Sequence, residues 1–137
     1  MFYEKCLIMT VDGKSFLVRG LIENFEHKGF EVLYANYDRF KKPEKIMNYQ
    51  PDVIAWDSEN EIYHLGAATN PDEIKQSRTD SKLDTLANMS MAAGKSRDSR
   101  VPLYLAVPFE SSKKISDLIV KSNLPDENII PLGVGLK

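Results

Sequence analysis

A short apolar segment, a turn and a second apolar segment constrain the fold of this chain most strongly. Residues 53–56 are short and strongly apolar, and they therefore predict a buried strand that opens after Pro51 and Asp52. The polar residues 58–61 predict a turn, and Ile62–Ala68 predicts the returning strand of a hairpin. A chain with this hairpin near its centre is expected to build a sheet around it.

The other elements are predicted from periodicity and from turn signals. Residues 15–28 carry apolar side chains with the period of a helix, and Gly29 is a suitable residue to end it. A second helix is predicted to begin at Asn70 and to run to Gly94. Strands are predicted at 31–37, 101–107 and 129–134, and a third helix at 112–122; Pro131 indicates an edge position for the last strand. Residues 5–11 fit a strand or a helix.

The predicted order is helix, three strands, helix, strand, helix, strand, which indicates the α/β class. In one layout, an antiparallel meander is followed by a crossover helix and a parallel strand. In the other, residues 6–11 form a strand, and the start of the chain alternates strand and helix as in a doubly wound sheet. At 137 residues, the chain is expected to form a single domain over residues 1–137.

The composition of the chain excludes few classes of function. The net charge is −2, from 18 basic and 20 acidic residues, which does not by itself indicate a nucleic acid as partner but allows a local basic face. Cys6 is the single cysteine, and no signal peptide is visible, so a reducing, cytoplasmic location is expected. No apolar run reaches the roughly 18–20 residues that span a bilayer, so no membrane partner is expected.

Three segments in the middle of the chain carry a resemblance to a known superfamily. They are a lysine-proline pair at residues 42–43, the run Tyr-Gln-Pro-Asp at 49–52, and Gly-Ala-Ala-Thr at 66–69. Together they resemble the PD-(D/E)XK, or restriction-endonuclease-like, superfamily, in which one group has Gly-Glu-Ala-Lys-Thr in the last segment. The likeness covers about residues 15–108. It implies a restriction-endonuclease-like αβββαβ core with a mixed central sheet flanked by helices, plus a C-terminal helix and strand.

The resemblance also implies roles for single residues. Asp52 matches the metal-binding aspartate, Ala67 stands at the position of the second acid, and Thr69 stands at that of the lysine. Alanine cannot bind a cation and threonine carries no charge, so the chain resembles a degenerate member that has lost catalysis. Asp52 alone would hold Mg²⁺ weakly. The first hypothesis is therefore a silent nuclease-like scaffold, without a cofactor, that binds DNA, RNA or a protein.

An active nuclease with a rearranged site is the second hypothesis. It would use Asp52, an acid on the first helix such as Glu23, and Lys75 on the following helix, with Mg²⁺ as the cofactor. Either nuclease-like hypothesis could use basic residues to contact phosphates. The candidates for nucleic-acid binding are Lys41, Lys42, Arg78 and Lys82.

A receiver-like regulatory domain is the third hypothesis. Asp57, at the end of a strand, would accept phosphate, and Asp12 would help to hold Mg²⁺. The missing second acid after residue 12 and the absence of a lysine in the last strand count against it. Elsewhere, Tyr34 and Trp56 are predicted to be core residues, and His64 a strand residue without a catalytic role. The sequence leaves the oligomeric state open, and a homo-oligomer is compatible with it.

Overall fold

The computed structural model describes residues 14–69, 77–121, 124 and 127–135, with the backbone alone for residues 77–80. The expectations for residues 5–13 and for a helix start at Asn70 lie outside this part. Within it, the predicted order of helices and strands is confirmed. The elements are α1 (Ser15–His27), β1 (Glu31–Ala35), β2 (Val53–Asp57), β3 (Ile62–Ala68), α2 (Ser77–Ala87), β4 (Leu103–Pro108), a 3₁₀ turn (Phe109–Ser111), α3 (Ser112–Lys121) and β5 (Ile129–Val134).

The five strands form one mixed sheet in the order β1-β2-β3-β4-β5. The first three strands are an antiparallel meander, and β3, β4 and β5 run parallel to one another. Strand β2 has antiparallel neighbours on both sides, as the meander layout predicts, whereas the doubly wound alternative depends on residues 6–11, which lie outside the described ranges. Among the described strands, β5 lies at an edge as predicted, and Pro131 lies in it. In the described ranges, no helix is long and apolar enough to cross a membrane.

The sheet separates two hydrophobic cores, because successive side chains of a strand point to opposite faces. On the first face, α1 packs over the sheet; this core is lined by Leu17, Val18, Leu21, Ile22, Phe25, Ala35, Val53, Ala55, Ala68, Tyr104 and Ala106. On the second face, α2 and α3 pack; this core includes Leu65, Ala67, Leu83, Leu86, Ala87, Leu103, Leu105, Val107, Ile115, Ile119 and Ile129. Strands β3 and β4 contribute to both cores.

Two glycines fix α1 on the first face. Gly29 takes a φ of +85°, which ends the helix, and the N–H of Phe30 then donates to the carbonyl of Phe25 at 3.0 Å. Gly66 of β3 faces the helix, where an added Cβ would lie 3.0 Å from Leu21. The absence of a side chain at Gly66 therefore lets α1 lie close to the sheet.

The predicted extension of α2 to Gly94 is wrong. The helix ends at Ala87, because the side-chain amide of Asn88 donates to the carbonyl of Asp84 at 2.8 Å and competes with the next helical bond. The chain then turns back on itself: Met91 N–H donates to the Ser99 carbonyl, and Val101 N–H donates to the Met89 carbonyl, each at 2.8 Å. Residues 88–101 therefore form a hydrogen-bonded loop.

Candidate functional site

Asp52 uses its carboxylate to close the end of the β2–β3 ladder. Its backbone N–H donates to the Gly66 carbonyl at 2.8 Å, and its Oδ2 accepts the N–H of Ala68, also at 2.8 Å. A side-chain oxygen thus takes the place of a backbone carbonyl at this end of the ladder. Ala68 is buried, so its N–H needs such a partner. The structure thus gives the Asp52 carboxylate a role in the β2–β3 ladder.

The two positions that the resemblance assigns to the second acid and the lysine are closed. Ala67 and Thr69 are two residues apart and point to the same face as Asp52 by strand alternation. Ala67 is 1% exposed and packs in the second core. Thr69 is 3% exposed, and its N–H donates to the Ala106 carbonyl at 3.0 Å. Asp52, Ala67 and Thr69 therefore share one face of the sheet, and Ala67 and Thr69 are buried there.

Of the residues of the rearranged nuclease site, the structure describes Asp52 and Glu23, and it places them apart. Glu23 lies on the outer surface of α1, where its side chain is 69% exposed and lies 4.0 Å from Arg19. Helix α1 covers the face of the sheet that Val53 lines, and Asp52 points to the other face by alternation. Lys75 lies outside the described residues. Among the described residues, no three acidic, histidine or cysteine side chains form a group that could hold a metal ion.

The predicted basic residues come from separate parts of the fold. Lys41 and Lys42 are exposed in the loop after β1, and the Lys41 carbonyl accepts the N–H of Ala35, which holds that loop against the edge strand. Lys82 is half-buried on α2, on the second face of the sheet. Arg78 belongs to the same helix, but its side chain is not among those described. Nucleic-acid binding by these residues stays a prediction.

Asp57 is the centre of the turn between β2 and β3. Its Oδ1 accepts the N–H groups of Glu59 and Asn60 at 3.0 and 3.3 Å, and its Oδ2 accepts the Asn60 amide at 2.8 Å. The Asn60 side chain foremost, and the two N–H groups with it, hold the pKa of this buried carboxyl below its usual value. A carboxylate engaged in this way has a structural role in the turn. Asp12, its partner in the receiver hypothesis, lies outside the described residues.

His64 lies buried beside Asp57 on the first face. Its ring stacks on Phe30 with centroids 4.2 Å apart, and its Nε2 lies 3.9 Å from Oδ2 of Asp57. Neither ring nitrogen has a hydrogen-bond partner in the described part of the chain. Burial lowers the pKa of His64, and the carboxylate of Asp57 opposes this shift only in part. The imidazole is therefore a neutral packing group at neutral pH.

An apolar groove of about 640 Å³ opens on the second face. Its floor is the part of the meander that α2 and α3 leave uncovered: Tyr34, Ile54, Trp56, Tyr63 and Leu65. Ile54 lies two residues from Asp52, and Leu65 lies two residues from Ala67, so the groove begins about 7 Å along the strands from these two positions. The prediction that Trp56 is a core residue is confirmed in part, because Trp56 is half-buried and packs against the second core while it also lines the groove. The same prediction for Tyr34 is wrong, because Tyr34 is half-buried, lines the groove and belongs to neither core.

One wall of the apolar groove is the loop of residues 88–101, which hydrogen bonds hold in place. Its tip is tied to the β2–β3 turn: the backbone N–H of Lys95 donates to Oε1 of Glu61 at 3.1 Å, and Oγ of Ser96 donates to the Asn60 carbonyl at 2.6 Å. Nζ of Lys95 also donates to the Glu59 carbonyl at 3.0 Å. The wall is thus fixed at its base and at its tip.

In comparisons with known proteins, no family model, no curated protein and no solved structure matches this chain significantly. The resemblance to the PD-(D/E)XK superfamily therefore rests on the quoted segments alone. Sequence reasoning missed the apolar groove and the bond between Asp52 and Ala68. Residues 54 and 56 alternate along β2 with buried residues, which indicates that they face the other side of the sheet. The alternation does not indicate whether a helix covers that side.

Proposed function

We propose that this protein is a nuclease-like scaffold that has lost phosphodiester hydrolysis and that acts by binding a nucleic acid or a protein. The observation that carries the proposal is the hydrogen bond between Oδ2 of Asp52 and the N–H of Ala68, at 2.8 Å. It engages the one carboxylate that the resemblance assigns to metal binding. With alanine and threonine at the other two positions, no second carboxylate or lysine remains there to share a cation or to steady a phosphate.

Burial on the same face supports the loss of catalysis. The side chains around Ala67 are those of the second core, so apolar packing occupies the position of the second acid. Metal-dependent hydrolysis of a phosphodiester needs charged ligands at such positions. The arrangement is suited to holding the β2–β3 ladder together, and the surfaces left for recognition are the exposed loops and the apolar groove.

Cleavage assays test the loss of catalysis. The purified protein is incubated with supercoiled plasmid, single-stranded DNA and RNA, each with Mg²⁺ and with Mn²⁺, and no cleavage is expected. Asp52→Asn is the matched variant, because the amide oxygen can still accept the Ala68 N–H while the charge is lost. Cleavage that persists through purification and disappears in Asp52→Asn and in Lys75→Ala would refute the proposal and support an active, rearranged site.

Binding assays separate the two kinds of partner. Fluorescence anisotropy with labelled single-stranded DNA, duplex DNA and RNA is measured at about 50 and 200 mM salt, where a protein with several phosphate contacts loses affinity steeply. A nucleic-acid partner predicts such a loss, and weaker binding by the double variant Lys41→Glu, Lys42→Glu. Absence of binding at the lower salt concentration would exclude nucleic acid and leave a protein as the partner.

A further inference from the structure

The apolar groove has the properties of a binding site for a small molecule. Sites for small molecules usually have volumes of about 300–1,000 Å³, and they combine an apolar lining with a few polar groups. The groove has a volume of about 640 Å³, and its floor carries three aromatic side chains. The hydrogen bonds of residues 88–101 hold its wall independently of any occupant. A site formed in advance binds without the loss of entropy that ordering a loop would require.

The charge of the lining restricts the class of ligand. Of the described residues that line the groove, none has a charged side chain. A carboxylate, phosphate or ammonium group would therefore lose its hydration there without gaining a partner. The ligand that fits is an uncharged one, or one whose charge stays outside the groove.

The aromatic floor and the methionine wall favour a ring. Trp56 and Tyr63 have centroids 4.7 Å apart and planes inclined at 58°, so they present two inclined aromatic surfaces. Aromatic rings pair well in tilted and offset arrangements, and thioether sulfurs contact ring edges favourably. Met89 and Met91 supply such sulfurs from the wall.

Three residues of the floor carry a polar group. Within the described part of the chain, no residue hydrogen-bonds to the indole N–H of Trp56 or to the hydroxyls of Tyr34 and Tyr63. A neutral hydroxyl or carbonyl group on the ring could pair with them. We infer that the apolar groove binds an uncharged small molecule that combines a ring of aromatic character with a neutral polar group. This inference does not depend on the loss of catalysis proposed above.

Trp56 provides the readout, because it is the only tryptophan of the chain and lies in the floor of the groove. The probe is 2-phenylethanol, and phenylacetate is its charged counterpart. A saturable change in Trp56 emission is expected with 2-phenylethanol, with half-saturation at or below roughly 10 mM for a ligand of this size. Phenylacetate should bind at least about tenfold more weakly, because its carboxylate has no partner. No saturable change with 2-phenylethanol, or equal binding of both probes, would overturn the inference.

A blocking variant and a matched control locate the binding. Ala93 is exposed and lines the groove, so Ala93→Phe should fill the groove without touching either core and weaken binding at least about tenfold. Ser116→Phe adds the same side chain on the exposed surface of α3 and should leave binding unchanged. Unaltered binding in Ala93→Phe would overturn the inference.

Methionine methyl spectra of the unmodified protein give a second test that needs no variant. Addition of 2-phenylethanol should shift the methyl resonances of Met89 and Met91, which line the groove, and a titration without shifts at these two positions would overturn the inference. Sedimentation provides the remaining test. A concentration-dependent dimer that excludes 2-phenylethanol would assign the groove to a second copy of the chain and refute the ligand.

Discussion

Replacement of Asp52 by alanine should destabilise the protein by an amount that the structure sets. The substitution removes the acceptor of a 2.8 Å bond from the Ala68 N–H, whose residue is 4% exposed. Hydrogen bonds to charged groups contribute about 1.5–3 kcal/mol, and a buried N–H without a partner costs about 1–3 kcal/mol. Since both figures describe the same lost bond, we expect a decrease of about 2–3 kcal/mol in the free energy of unfolding.

Asp52→Asn separates the hydrogen bond from the charge. The amide oxygen can still accept the Ala68 N–H, so the expected decrease is only about 1 kcal/mol. Urea titrations of the three proteins measure these differences directly. In thermal melts, Asp52→Ala should lower the midpoint by roughly 8–12 °C, at about 4 °C per kcal/mol for a chain of this size.

The same melts, repeated with about 5 mM Mg²⁺, distinguish a structural carboxylate from a metal ligand. A structural carboxylate predicts no Mg²⁺-dependent stabilisation of the wild-type protein and an unchanged difference between it and Asp52→Ala. A ligand that binds only the folded protein raises its stability by mass action. If Mg²⁺ stabilises the wild-type protein but not the variant, or if Asp52→Ala is as stable as the wild type, the assignment of Asp52 to the ladder is wrong.

Three further predictions concern buried positions. Burial holds the pKa of His64 below its ordinary value of 6.5, so the unfolded chain binds a proton at this residue more readily than the folded protein does. The stability that the neutral imidazole contributes is therefore fully present above pH 6.5, and it is lost as the pH falls through the pKa of the folded protein. Urea titrations should show less of this loss in His64→Phe, and an equal loss in both proteins would contradict the prediction. The double variant Ala67→Glu, Thr69→Lys should lower the free energy of unfolding by at least about 2 kcal/mol in thermal melts, because the acid enters a packed core. The variant should not cleave plasmid, and new Mg²⁺-dependent nicking would refute this. Leu105→Ala should lower the free energy of unfolding by about 2–5 kcal/mol, and the exposed Val120→Ala by less than about 0.5 kcal/mol, so similar losses would contradict the placement of these two residues.

The meander was predictable because its signals are local. The bounds of β3 and β5 agree with their predictions, since each is an apolar segment between clear turn signals. The end of α2 was not predictable from its apolar period, because Leu83, Ala87 and Met91 continue the helical spacing of four residues. The side chain of Asn88 interrupts the helix within that spacing. Periodicity reports which side chains prefer burial and not which hydrogen bond a polar side chain makes.

For the candidate site, only the relative positions of its residues were predictable from the sequence. The spacing of Ala67 and Thr69, and the position of Asp52 at the start of a neighbouring strand, indicate one shared face of a hairpin. The partner of the Asp52 carboxylate is a backbone group 16 residues away, and such a pairing depends on the register between β2 and β3. The partial exposure of Trp56 depends on where α2 and α3 end on the sheet. The sequence of its own strand does not encode those positions.

The two-sided β3 strand has a consequence for how this protein can change over evolutionary time. Leu65 and Ala67 pack on one side of the sheet, while Gly66 and Ala68 face α1 on the other. Substitutions that are far apart and share no partner have nearly additive effects on stability, and the two cores lie on opposite sides of a continuous sheet. A lineage can therefore exchange residues around the groove without compensating changes under α1, so the two faces of this sheet can diverge at different rates.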